Sequence, residues 1–480
     1  MKTRTIKIEK RSEGRNGYIL VLVLLCASIG ILIIAGLIKW AGTDIAATRQ
    51  TAEREQALQI AEAGVDYYRW HLAHAPLDFM DGTATSGPYS HDFLDKDGNL
   101  IGHFSLAIVP PPVGSTLVTL TSTGSTTVPG SPTRSIKVQF AKPSIAKYAV
   151  VANSTMRFGA GTEVFGPIHS NQGIRFDGIA HNLVTSGVST YDDPDHSGAN
   201  EFGVHTHDSP TDPLPPTAVP ARADIFQVGR TFPVPSIDFS GMTSDLSQLK
   251  TSAQSSGFYR PGSGSLGYHV VVKTNDTFDL YRVTQMTNAP SGCTNSQSQT
   301  GWGTWSIQNQ TLLGNYAFPS NGVLFFEDHV FVNGQINSAR LNIIAAVLPD
   351  SVPSRKNIII NNDLLYTRYD GTDTIGLIAQ GNVLVGLISE DDLRIDAALI
   401  AQNGLAGRFY YGSNCSPNDD RATLTLWGMI ATNQRYGFAY TDGTGYHTRN
   451  INYDGNLLYA PPPGFPLTGD EYITISWEEM

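Results

Sequence analysis

The 21 residues from Tyr18 to Ile38, YILVLVLLCASIGILIIAGLI, carry no charge and are apolar on every side of a helix. A helix of that kind must be buried, either in protein or in lipid. At about 1.5 Å rise per residue the run spans the roughly 30 Å hydrocarbon layer of a bilayer. Lys2, Arg4, Lys7, Lys10, Arg11 and Arg15 precede it, against only Glu9 and Glu13, and Lys39-Trp40 follows it. Basic residues stay on the cytoplasmic side and tryptophan suits the interface. The expectation is a single pass of the inner membrane with the N-terminus in the cytoplasm and the body exported to the periplasm or cell surface. A cleaved secretory signal is the alternative, but its apolar core runs about 7–15 residues and ends at a small-residue cleavage site.

The charge distribution follows the same division. The first sixteen residues are net +4 in a chain that is −11 overall, which leaves −15 on the rest. An acidic body without a stripe of lysine and arginine gives nucleic acid no electrostatic footprint, so nucleic acid is excluded as a partner. Charged residues make up 16% of the chain, and 47 glycines and 27 prolines punctuate it. That balance favours short strands and turns, and the expected fold class is mainly β with one long N-terminal α-helix.

The helical pattern continues past the membrane. TDIAATRQTAEREQALQIAEAGVDYYRWHL lacks proline and places Ala57, Ile60, Ala61, Gly64, Val65, Tyr68 and Leu72 at steps of three and four. Pro76 marks the latest end of this helix. Its outer half is amphipathic and needs a partner over the apolar stripe.

A basic leader, Gly17 before the aromatic Tyr18, the 21-residue apolar segment and the run Gln56-Ala57-Leu58-Gln59-Ile60-Ala61-Glu62-Ala63-Gly64 together resemble the N-terminus of type IV pilin-like proteins, PilX-type minor pilins in particular. The resemblance covers about 60 residues. It implies that a prepilin peptidase cuts between Gly17 and Tyr18, and that the helix packs with other pilin-like subunits in a filament or at its base. One departure stands out: major pilins carry glutamate at the fifth mature position, and here that position is Leu22.

Three strands are expected after the helix, Asn99 to Val109, Thr116 to Thr123 and Arg134 to Phe140, with Leu106, Leu117 and Ile136 laid on the helix. Asp95-Lys-Asp97-Gly-Asn99 begins like a calcium loop, yet glycine comes fourth and Leu106 twelfth, so an Asp-Gly turn is expected. The domain plan is a cytoplasmic leader at 1–17, a long helix at 18–75, a pilin-like sheet head at 76–142 and a β-rich exterior at 143–480.

In the exterior, YAVVA, MRF, TEVFG, GIRF and LVTS alternate with single glycines, the spacing of a β-solenoid whose coils must stack to bury a core. Residues 190–260 interrupt the pattern, with one short helix expected from Met242 to Gln254, and 408–422 forms a second inserted loop. Gly376-Leu-Ile-Ala-Gln-Gly381, Ala398-Leu-Ile-Ala-Gln-Asn403 and Gly428-Met-Ile-Ala-Thr-Asn433 repeat one hexad. Stacked coils would align Ile378, Ile400 and Ile430 as an inward ladder, with Gln380 or Gln402 beside it near a turn where amides can pair. A right-handed parallel solenoid is the expected body, and a β-sandwich the alternative.

Candidate sites are few. Cys293 and Cys415 lie in polar loops of an exported region and are expected to form a disulfide; two unpaired thiols are the alternative. His205-Thr-His207-Asp208, with Asp192, Asp193, Asp195 and His196 upstream, is the best metal-ligating arrangement, since histidines two apart share one face of an extended chain. A loop this polar is ordinarily solvated, so no metal and no cofactor are expected. Glu390, Asp391, Asp392 and Asp396 are the carboxylates a polysaccharide-active solenoid would use, but no cationic cluster accompanies them and no nucleophile or nucleotide motif appears. No catalytic residue is assigned. The sequence therefore points to an anchored structural or adhesive surface protein, a minor or initiating part of a pilus-like assembly. An anchored solenoid that binds or cleaves surface glycan, and a plain anchored scaffold, are the alternatives.

Overall fold

The computed structural model describes residues 16–111, 116–142, 144–237, 239, 241–467 and 471–480. The basic leader through residue 15 lies outside them. The chain folds into two compact units: one comprises the N-terminal helix and sheet to Val109 with Leu120–Val138 and Ser476–Met480, the other Pro110–Thr119 and Gln139–Ile475.

In the first unit α1 runs unbroken from Asn16 to His74, 59 residues. The seven stripe residues from Ala57 to Leu72 are buried, as the three-and-four spacing requires. The sheet has strands β1 (Tyr89–Leu94), β2 (Leu100–Val109), β3 (Val118–Thr126) and β4 (Arg134–Ala141), with the C-terminal strand Ile473–Glu479 added beside β4. Burial alternates along β2, β3 and β4, so Phe104, Leu106, Leu120, Ile136 and Val138 form one inner face. Leu117 is only half-buried and precedes β3, one step out of the alternation. β1, missed in the sequence, pairs antiparallel with β2 across the Asp95–Asn99 turn. In that turn the Asp95 carboxylate accepts from Asp97 N and from both the backbone and the side chain of Asn99. Those donors hold its pKa below the usual carboxylate range.

The second unit is a β-solenoid whose coils pair in parallel, which excludes the sandwich alternative. Along its first face the stacking order is Phe258–Arg260, Val323–Phe326, Arg340–Ala345, Thr374–Ala379, the ends of Asp392–Ala401 and Asp420–Thr432, then Val150–Ala152, Ile168–Ser170, Val184–Ser186 and Arg230–Thr231. The chain thus enters mid-stack and climbs to residue 231. It then returns through 232–257 to the far end and climbs again until Ile430 meets Val150. Two further parallel faces complete each coil.

Leu324, Ile343, Leu377, Leu399, Ile430, Val150, Ile168 and Val184 form the interior row of the first face. The next residue of each strand points the opposite way, giving Phe325, Ile344, Ile378, Ile400, Ala431 and Val151. This outer row is also buried, beneath Leu246, Leu249 and Ala253 of α2 (Gly241–Ser255) together with Leu457 and Phe465. The expected inward ladder of Ile378, Ile400 and Ile430 is therefore corrected. Ile378 and Ile400 stack, but on the outer side, and Ile430 lies beside Leu399. The third hexad is slipped by one residue, with Gly428 opposite Ala397, and a one-residue slip exchanges the two faces. Gly428 has φ +153°, and a Cβ there would lie 2.0 Å from the Ala397 carbonyl oxygen.

At the turns, Asn171 donates to Asn153 and Asn153 to Asn433, an amide ladder over three successive coils. Gln380 bonds instead to the backbone of Val347, through both its amide oxygen and its amide nitrogen.

Candidate functional site

Two features of the chain carry chemistry or surface that a packed scaffold does not need. The first is α1. From Tyr18 to Ile38 every residue is uncharged and all but the half-buried Gly30 are exposed. By length and composition this segment can cross a membrane, a property it shares with signal sequences. Gly17 and Tyr18 lie in the first turn of the helix. About twenty residues further along, the same helix seats its stripe on the head. There the Glu53 carboxylate accepts from Thr126 Oγ1 at 2.6 Å and Ser131 Oγ at 3.2 Å.

The second feature is a histidine and carboxylate cluster at the edge of a three-stranded parallel sheet made by Met156–Phe158, Ile174–Phe176 and Val204–His205. Strand Val204–His205 pairs in parallel with Ile174–Phe176, placing His205 beside Arg175. Immediately before it, Thr190–Tyr191 and Glu201–Phe202 pair antiparallel and fold the intervening loop back as a hairpin. The hairpin carries Asp193, His196 and Glu201 to the histidines. His205 Nε2 lies 3.5 Å from Asp193 Oδ2, His207 Nε2 3.4 Å from Glu201 Oε1, and His196 Nδ1 3.2 Å from the same Glu201 oxygen. The rings of His205 and His207 are 5.0 Å apart and those of His196 and His207 4.6 Å. Asp193, Glu201 and His205 are buried.

The backbone beneath these side chains is held from both sides. Asp177 accepts from His207 N at 2.8 Å, and Asp212, itself ion-paired to Arg230, accepts from Thr206 N at 3.0 Å. Burial pushes the His207 imidazole below its ordinary pKa, helped by Arg175 and by His205. Asp193 Oδ1 accepts from Asp195 N at 3.0 Å. Burial raises the neighbouring Tyr191 phenol.

Of the residues singled out in the sequence, His205 and His207 meet here with Asp193 and His196. Asp208 does not: its side chain is exposed and faces Arg222 at 3.9 Å. Asp195 turns to Arg157 and Arg435. Glu201 escaped the sequence reading because only the hairpin brings it back to the histidines. Asp396 is buried but fully engaged, accepting from Tyr366 N, Tyr369 OH and Arg394 Nε. Glu390 accepts from Asn362 and Asp391 from Ala422 N. These carboxylates brace turns.

Cys293 and Cys415 are joined in a disulfide, with their Cα atoms 4.5 Å apart. Cys293 belongs to the excursion between the antiparallel strands Thr277–Met286 and Ile307–Ala317, which the sequence did not signal. The excursion covers Phe331, Ile359 and Leu384, the outer row of the second face.

No protein-family model and no curated protein matches this chain. Among solved structures, the crystal structure of the competence-associated pilin ComZ from Thermus thermophilus is similar at 14% sequence identity, covering 89% of this chain and 98% of that one with a TM-score of 0.30. A TM-score this low leaves the fold to be read from the chain's own topology.

Proposed function

We propose that this chain is a membrane-anchored, non-enzymatic structural protein of the type IV pilin-like class, with an N-terminus of the PilX type. The observation that supports it best is the division of labour along α1: an exposed apolar end followed by a stripe buried against the head sheet. A helix built only to complete the head would not extend some forty residues beyond its packed half, about 60 Å at helical rise. In lipid the apolar end retains the protein. In an assembly the same surface packs against helices of other pilin-like subunits, and the solenoid is displayed outward as the adhesive or partner-meeting surface. Leu22 removes the charge that would pair with a neighbour's N-terminal amine, so the subunit belongs at the tip, the base or the initiating complex and is scarce along a shaft.

Processing tests this reading. The mature wild-type protein is expected to begin at Tyr18, and Gly17→Trp to accumulate uncut in the membrane, longer by the leader; N-terminal mass mapping reads both. A wild-type protein that keeps residues 1–17 and is absent from every filament fraction would overturn the pilus role.

A further inference from the structure

We propose that Asp193, His205 and His207 hold a divalent transition ion of the zinc type, with Glu201 beside His207 and His196 beside Glu201. His205 Nδ1 faces the Phe202 carbonyl oxygen at 3.3 Å and can only donate to it, so in that tautomer Nε2 carries a lone pair. That lone pair points at a carboxylate oxygen of Asp193, another acceptor.

His205 is completely buried and Asp193 is 3% exposed, yet neither His205 Nε2 nor Asp193 Oδ2 has a hydrogen-bond partner, and the same is true of His207 Nε2. Buried acceptors left facing one another are costly unless a cation lies between them. A proton on His205 would give a charge-assisted bond, but such bonds run about 2.7–2.9 Å, and the separation is 3.5 Å. Arg175 is the other nearby cation. Its Nε bonds Asp177 at 2.7 Å, and its Nη1 stays 3.7 Å from Asp193.

The separations suit a metal. Ligands about 2.0–2.1 Å from a tetrahedral ion stand roughly 3.3 Å apart. Within the proposed set the His205–Asp193 distance of 3.5 Å lies close to that edge. The atoms of Asp193, His205 and His207 lie within 4.8 Å of one another, as do those of His196, Glu201 and His207. His207 Nε2 belongs to both sets, so one ion is bound per chain. Imidazole and carboxylate donors without thiolate match zinc or cobalt better than soft copper(I), and three protein ligands are enough to hold it. The backbone is already set, since Asp177 and Asp212 accept from His207 N and Thr206 N and fix the chain at 206–207 before any ion arrives. The ion would staple the 190–202 hairpin to the strand Val204–His205 that follows it.

The test uses the full chain in detergent, stripped with a chelator and then titrated with Co²⁺ and Zn²⁺. One equivalent of Co²⁺ is expected to give visible absorption of tetrahedral intensity, displaced by one equivalent of Zn²⁺, and Zn²⁺ is expected to raise the unfolding temperature. His205→Ala and the near-isosteric Asp193→Asn should each weaken Zn²⁺ binding by more than the roughly 10–100-fold that loss of an outer-shell partner costs. His447→Ala, at an exposed histidine, should leave it unchanged. Unfolding curves without metal confirm that Asp193→Asn is folded should His205→Ala prove unstable. No saturable binding by wild type at micromolar Zn²⁺, or binding that survives Asp193→Asn unaltered, would reduce the cluster to a buried His–Asp pair and overturn the proposal.

Discussion

Replacing Gly124 with valine is expected to unseat α1 from the head sheet and lower the head's stability by at least the roughly 1–3 kcal/mol that overpacking costs. A Cβ at this position would sit 2.1 Å from the Ala57 carbonyl oxygen and 2.5 Å from Ala61 N, both backbone atoms of α1. Backbone atoms cannot change rotamer, so the helix must move away from the sheet. Moving it would uncover Ala57, Ile60 and Ala61, all fully buried, and break the Glu53 bonds to Thr126 and Ser131. Limited proteolysis should then cut the outer half of α1 while the solenoid keeps its resistance. Gly42→Ala, with nothing within 4 Å of the added carbon, is the control. An unchanged unfolding temperature and cleavage pattern for Gly124→Val would show that the helix does not rest on the sheet at this point.

Removing the disulfide is expected to cost about 2–5 kcal/mol, because Cys293 and Cys415 close a loop with a sequence separation of 122 residues. The chain-entropy relation puts the upper end near 5 kcal/mol for a loop of that length. The effect should concentrate in the 287–306 excursion, whose residues share an apolar cluster with Phe331, Ile359, Leu384, Phe409 and Tyr411. Freed of its staple, the excursion exposes that row. The double variant Cys293→Ala, Cys415→Ala should therefore unfold at a lower temperature and bind an apolar dye at the second face before the rest of the solenoid melts. Nonreducing mass mapping that finds both thiols free in protein purified under oxidising conditions would remove the basis of this expectation.

The stripe from Ala57 to Leu72 was legible in the sequence because a helix that must cover an apolar row writes it at a fixed period. The strands at 150–152, 156–158, 162–165, 174–176 and 184–186 were legible for a similar reason, being apolar runs cut by single glycines. So was α2, found at Gly241–Ser255. The stacking order was not. Nothing in the residues around Val150 says that their neighbour is Ile430, because parallel pairing is a contact between distant segments with no local sign. The slip at Gly428 was hidden for a related reason: three matching hexads look in register until the backbone approach to Ala397 is known. Both faces of the strands at 341–345, 375–379 and 397–401 are apolar, so the sequence could not say which isoleucines point inward. At the cluster, the i, i+2 spacing of His205 and His207 was visible, whereas their partnership with Glu201 depends on a hairpin of two-residue strands too short to leave a pattern.

The central claim is that one helix both anchors the protein and carries an exported body, and protease added to spheroplasts tests it most directly. With the apolar run of α1 in the inner membrane and the basic leader inside, epitope tags should show the solenoid digested from outside while a tag at the N-terminus stays protected until the membrane is lysed. Digestion of the N-terminal tag with the solenoid protected, or a body recovered whole in the soluble fraction, would contradict the account.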